Sequence, residues 1–208
     1  TILFFTSEGK VYRKKGYQVP EYGRTAKGLP LVNLLEIGKN EKVTAVIRVE
    51  EFKEDDFFFF TTRGGLSKRT PVSNYANIRQ NGLIAINLRE DDELISVKMT
   101  DGNKEIVIGT RDGALIRFPE TDIRSMGRAA SGVRGIRLRE GDQVVGMETL
   151  ETDDKILVIT ENGYGKRTKE SEYRVQSRGG MGIKTCHITE KNGPLVAVRA
   201  VNGTEDIM

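Results

Sequence analysis

The sequence predicts an all-β, propeller-like fold of four-stranded antiparallel blades, about four of them, and three observations predict it. A glycine followed four residues later by an arginine recurs as Gly9/Arg13, Gly65/Arg69, Gly113/Arg117 and Gly163/Arg167, at steps of 56, 48 and 50 residues. Periods of this size belong to arrays of one repeated supersecondary unit. A second glycine follows at Gly28, Gly82, Gly132 and Gly182, and an apolar ladder runs from each at offsets one, four and six. The ladders are Leu29/Val32/Leu34, Leu83/Ile86/Leu88, Val133/Ile136/Leu138 and Ile183/Cys186/Ile188. Finally, each repeat reads as short strands and turns without an amphipathic helix, which excludes helical arrays, and the period is too long for leucine-rich repeats.

Taken in order, each repeat opens on an apolar, β-branched or aromatic run: ILFFT at 2–6, FFFFTT at 57–62, EIVIGT at 105–110 and KILVIT at 155–160. Such runs read as buried strands. Turn pairs follow at Glu8-Gly9, Gly64-Gly65, Asp112-Gly113 and Asn162-Gly163, the last two being strong hairpin signals. The second strand carries the arginine, in KVYRK, LSKRT, ALIRF and YGKRT. A polar loop of variable length comes next, then the ladder as a third strand of the same blade. Acidic turns such as REDDE and REGDQ lead to a fourth strand, at 43–49, 94–99, 144–150 and 195–201. The repeats are thus expected at about 1–50, 51–100, 101–150 and 151–202 within a single domain.

The chain opens on TILFF, a strand already under way, and GTEDIM at 203–208 has the form of a further repeat's first strand, so a piece of a longer protein is expected. At 208 residues and 37% hydrophobic there is enough apolar material for a core, while the FFFF run is far too short to span a bilayer. No signal-peptide pattern opens the chain, and cytoplasm is the expected location. Cys186 is the only cysteine and His187 the only histidine, so no intrachain disulfide, His/Cys zinc site or ordinary histidine-based triad is expected.

The net charge of +3 says little, but its distribution follows the repeat. Windows 9–28, 65–82, 113–138 and 163–184 carry net charges of +5, +3, +3 and +4. The intervening windows 36–56, 89–105, 139–155 and 185–208 carry −3, −3, −4 and −1. Stacking equivalent segments would turn this alternation into a basic stripe and an acidic one.

Catalytic and nucleotide-binding motifs do not survive inspection. The segment 178–185 has Ile183 where a phosphate loop needs glycine before its lysine, and it precedes a strand. Gly163-Tyr164-Gly165 has Thr168 in place of a dinucleotide fingerprint's third glycine. The acid clusters at 54–56, 90–93 and 153–154 fit no calcium-loop template and read as solvated turns. The basic loops, in contrast, couple cations to glycines, so that backbone amides and side chains could approach phosphates together. Aromatic residues do not interleave with these cations, which favours duplex over single strands. Cations at regular intervals along a curved rim would bind and bend a duplex with little reading of its bases.

Three long motifs carry a family resemblance: YQVPEYGRTAKGLPLVNLL at 17–35, RSMGRAASGVRGIRL at 124–138 followed by EGDQVV, and NGYGKRT at 162–168. With these the chain resembles, over essentially its whole length, the C-terminal domain of DNA gyrase A, a β-pinwheel of about six blades that wraps duplex DNA. The resemblance implies a non-catalytic part of a type II topoisomerase, with DNA led around the rim in a positive wrap that biases the enzyme towards negative supercoiling. It implies as partners duplex DNA, gyrase B and the rest of gyrase A in an A2B2 enzyme. The active-site tyrosine, ATP and Mg would belong to other parts of that enzyme, so no cofactor is expected in this chain. The family's signature heptapeptide has only an echo here, Gln176-Ser177-Arg178-Gly179-Gly180-Met181-Gly182, without its two basic positions. The expectation is that the signature blade lies upstream. The related C-terminal domain of topoisomerase IV and a protein-binding propeller are the alternative readings.

Loop position selects the expected phosphate contacts: Arg24, Lys27, Arg79, Arg128, Arg134, Arg178 and Lys184. Arg13, Lys68, Arg69, Arg117, Lys166 and Arg167 are expected as hairpin-borne supports.

Overall fold

The computed structural model describes residues 1–206, and fifteen strands lie among them. The first repeat forms β1 (Ile2–Thr6), β2 (Lys10–Lys14), a one-turn helix α1 (Leu31–Leu34) and β3 (Val43–Arg48). The second forms β4 (Phe57–Thr62), β5 (Leu66–Pro71), β6 (Leu83–Ile84) and β7 (Leu94–Thr100). The third forms β8 (Glu105–Thr110), β9 (Ala114–Pro119), β10 (Val133–Arg134) and β11 (Val144–Leu150). The fourth forms β12 (Lys155–Thr160), β13 (Gly165–Lys169), β14 (Ile183–Lys184) and β15 (Leu195–Val201).

All pairings between strands are antiparallel, in sheets of order β3-β1-β2-β6, β10-β5-β4-β7, β11-β8-β9-β14 and β13-β12-β15. The four-stranded blade is therefore right, but its composition corrects the sequence reading. The ladder is not a third strand of its own repeat. It shrinks to two paired residues and adds to the sheet of the preceding repeat, β6 on β2, β10 on β5 and β14 on β9.

Close backbone approach explains the exchange and the first glycine of the first three repeats. The amides of Gly135 and Ile136 both donate to the carbonyl of Gly65, at 2.9 and 3.2 Å, and those of Ala85 and Ile86 treat Gly9 likewise. At Gly113 the backbone sits at φ +84°, and a Cβ would lie 2.6 Å from the carbonyl of Cys186. Only glycine tolerates both conditions. The ladder of the first repeat has no preceding sheet among the described residues to join. There the chain turns into α1, and Leu29 and Val32 are 40% and 58% exposed. The fourth sheet correspondingly has three strands. Of the further strand expected at 203–208, Ile207 and Met208 lie outside the described residues, and the preceding amides of Asn202 and Gly203 donate to the Glu205 carboxylate.

Sheets stack face to face. Strand alternation in the FFFF run sends Phe58 and Phe60 towards the first sheet, against Leu3, Phe5 and Val11. Phe59 faces the other way, into a core with Ile106, Ile108, Ile116 and Phe118. Phe5 and Phe58 meet edge to face with centroids 5.1 Å apart. A third core joins Val107 and Leu115 to Ile156, Val158 and Tyr173. Central blades are thus buried on both faces, which is why their first strands read as continuous apolar runs. Residues of β3, β7, β11 and β15 line one shared cavity of about 530 Å³, so these four strands surround a common axis. The second strands and their added ladders lie at the opposite, outer edge.

Candidate nucleic-acid interface

The loops after the second strands run along this outer edge. In the third and fourth repeats the loop starts by pairing with the preceding repeat, Met126 N–H donating to Arg69 O at 2.9 Å and Gln176 N–H to Arg117 O at 2.8 Å. Each of these two loops then carries an arginine that holds a ladder carbonyl of the preceding repeat: Arg128 donates to Ile84 O at 2.8 Å and Arg178 to Arg134 O at 3.2 Å. Arg178 also donates to Asp122 O at 3.0 Å. The loops are therefore built structures, with guanidinium groups pinned at one end and open to solvent at the other.

Among the expected phosphate contacts, Arg24, Lys27, Arg79, Arg134, Arg178 and Lys184 are exposed and Arg128 is half-buried. Among the described residues, the side chains of Arg24, Lys27, Arg79 and Arg134 have no hydrogen-bond or ion-pair partner, whereas Lys184 Nζ lies 3.5 Å from His187 Nδ1. Arg13, Arg79 and Arg128 come together around Gly82 in a groove of about 680 Å³ whose lining includes Asn77 and Asn81 and no carboxylate. Three guanidinium groups without a counter-charge make a strongly cationic hollow.

The hairpin-borne set divides. Lys166 and Arg167 are exposed, and so is Arg13, which donates to Ala76 O at 3.0 Å. Lys68 is a correction: it is wholly buried, its Nζ 2.7 Å from Ala85 O and 2.5 Å from Arg128 O, so it has no surface to offer a phosphate. Burial and the neighbouring Arg128 pull its pKa down to about 7. Arg69 and Arg117 are corrected in the same direction, their side chains being only 12% and 14% exposed. Arg69 stacks over the Phe57 ring at 4.5 Å and faces the buried Glu120 at 3.7 Å. Arg117 grips Glu105 and donates to Glu170 O and Tyr173 O, at 2.6 and 3.1 Å, in the 3₁₀ turn of the next repeat. Arg13, Arg69 and Arg117 all reach the turn that begins the next repeat's loop. They clasp repeats together, and the charge of Arg69 and Arg117 is largely spent inside, while Arg13 stays exposed.

Sequence reasoning passed over Lys14 and Lys15, which line a second groove with Arg13 and Arg79. The run of three consecutive cations, Arg13-Lys14-Lys15, was the available signal. The acidic turns have a structural task at the hairpin ends of the sheets. Asp92 Oδ1 accepts from the amides of Gly64 and Glu93, both at 2.8 Å. Asp142 Oδ1 does the same for Asp112 and Gln143, at 3.0 and 2.8 Å. Such capping is what Asp supplies in turns.

A family model described as "DNA gyrase C-terminal domain, beta-propeller" matches residues 1–50, 56–101, 104–151 and 154–202. The chain belongs to this family. It is 67% identical over 208 residues to the DNA gyrase A protein of Halalkalibacterium halodurans and 62% identical to that of Streptococcus pneumoniae serotype 4. Both alignments cover 100% of this chain and 25% of the relative, so the chain spans a quarter of the length of the relatives it matches. Among solved structures it is similar to the C-terminal domain of DNA topoisomerase IV, with a TM-score of 0.88 and 28% identity over 96% of this chain and 63% of that one. A DNA gyrase A C-terminal domain superposes with a TM-score of 0.80 and 25% identity, covering 96% of this chain and 65% of that one. The β-pinwheel expected from the three sequence motifs is the family's fold. No helix among the described residues is long and apolar enough to cross a membrane.

Proposed function

We propose that this chain is a non-catalytic DNA-wrapping region of DNA gyrase A, guiding duplex along its outer rim so that the whole enzyme introduces negative supercoils. The observation that carries this reading is the cationic hollow of Arg13, Arg79 and Arg128, free of carboxylates, on an edge where the third and fourth loops each bond an arginine to a ladder carbonyl of the preceding repeat. Phosphate contacts of this kind bind without reading bases, and equally spaced contacts on a curved edge favour bent duplex. Arg24, Lys27, Arg79, Arg128, Arg134, Arg178 and Lys184 would supply them, with Lys166 and Arg167 on the fourth blade. Gyrase B and the remainder of gyrase A in an A2B2 assembly are the proposed protein partners, in the bacterial cytoplasm. ATP and Mg would act in those other parts, and no cofactor is assigned to this chain. The 67% and 62% identity to two gyrase A sequences over the whole of this chain favours gyrase over its relative.

The test is the affinity of this chain for a duplex of about 40 base pairs across a salt series, where log affinity should fall by about 0.9 per neutralised phosphate per log unit of salt. A steep slope without sequence preference is expected. A shallow slope with weak binding would overturn the reading for this chain and leave the protein-binding propeller.

A further inference from the structure

The third and fourth repeats attach their loops to the rim in different ways. In the fourth, Gly179 N–H donates to Gly135 O at 2.6 Å, and Gly180 O accepts from Arg137 N–H at 2.8 Å. Gly179 adopts φ +80°, which lets its amide turn inward. The equivalent residues of the third repeat are Ala129 and Ala130, and among the described residues neither makes the corresponding bond to Ala85 or Asn87. Alanine at 129 resists the left-handed backbone that this bond requires.

Lys68 occupies the gap. Its Nζ bridges Ala85 O, the carbonyl equivalent to Gly135 O, and Arg128 O in the loop, with Gly127 O further off at 3.4 Å. The third repeat has Ile116 at the matching position, beneath Gly180, where backbone bonds already hold the loop. We propose that Lys68 is a positioning residue of the rim: its amine replaces the backbone bond that the Gly127–Arg128 loop lacks, and so places Arg128 in the cationic hollow. This rests on the reading of the rim as a duplex interface.

The groups around the amine are the Arg128 guanidinium, the Tyr75 hydroxyl, which donates to Ala85 O at 2.9 Å, and the Phe60 ring 4.9 Å away. No carboxylate among the described residues pairs with it. With its pKa held near 7 in the closed loop, opening to water would restore the ordinary 10.5 and take up a proton. The open state binds more protons, so the closed loop tightens as pH rises from about 7 and loosens as pH falls back.

Two measurements test this. Hydrogen exchange in the unmodified chain compares the Met126 amide with its equivalent Gln176, across pH 7 to 9. Opening at Met126 should fall relative to Gln176 by up to about tenfold per pH unit, and an identical pH response at both amides would overturn the proposal. Duplex affinity is then measured for Lys68→Met, Arg128→Ala and the double variant. Measured well below each variant's melting transition, Lys68→Met should weaken binding about threefold to tenfold, and the double variant should be no weaker than Arg128→Ala alone. Parental binding by Lys68→Met, or losses that multiply, would overturn the proposal. If Arg128→Ala itself binds normally, the interface reading fails at this loop while the exchange experiment still decides the role of Lys68.

Discussion

Arg117, on the outer strand of the third repeat, donates to the main-chain carbonyl of Tyr173 in the fourth, 3.1 Å away. The most regular cation of the sequence thus looks sideways at the next blade. The same side chain also holds Glu105 and Glu170 O, so one residue joins its own sheet to the turn of the next repeat.

Arg117→Ala should therefore cost stability, about 2–4 kcal/mol, because it strands buried acceptors as well as losing their bonds. Urea unfolding would show this as a lowered midpoint. Arg167→Ala, at the exposed equivalent position, should stay within about 0.5 kcal/mol of the parent. Equal losses at the two positions would contradict the clasp.

Gly113→Ala and Gly163→Ala separate conformational strain from steric exclusion. Both glycines have positive φ, +84° and +83°, but only Gly113 lies against a following ladder; nothing among the described residues comes within 4 Å of a Cβ on Gly163. Gly113→Ala should cost about 2–4 kcal/mol and Gly163→Ala about 1 kcal/mol. Thermal melts of the two variants side by side decide it.

Arg79 and Arg134 have no internal side-chain partner among the described residues, so replacing them should leave stability alone and act on DNA. Each alanine substitution is expected to reduce the salt slope of duplex binding by about one unit, for every sequence tested. Binding that weakens at an unchanged slope would place the phosphates elsewhere.

Alkaline titration reports on the first blade. Burial, with Glu41 beside it, pushes the Tyr12 phenol up from 10.0 to about 12. A group raised on folding contributes stability that is whole below its unfolded pKa and disappears as pH climbs towards the folded one. Stability should thus decline between about pH 10 and 12, and Tyr12→Phe should remove part of that decline in urea titrations at stepped pH.

Much of this was legible in the order of residues. Alternation and β-branched runs located the first, second and fourth strands of each repeat, because burial on one or two faces writes a period into the sequence. Loop cations were legible through their recurrence with glycine. Lys68 was not: beside Arg69 in LSKRT it reads as one more surface cation, and only the missing bond at Ala129 makes room for its amine.

By itself the sequence determined the repeat, the strands and the alternation of charge, since each depends on neighbours a few residues apart. Tertiary structure alone decided which repeat each ladder joins, which arginines turn inward and which stay free. Those outcomes depend on backbones from different repeats meeting at hydrogen-bond distance, as Gly113 and Thr185 do at 2.8 Å. The chain records such a meeting only as a glycine, which marks the space required and not the partner that fills it.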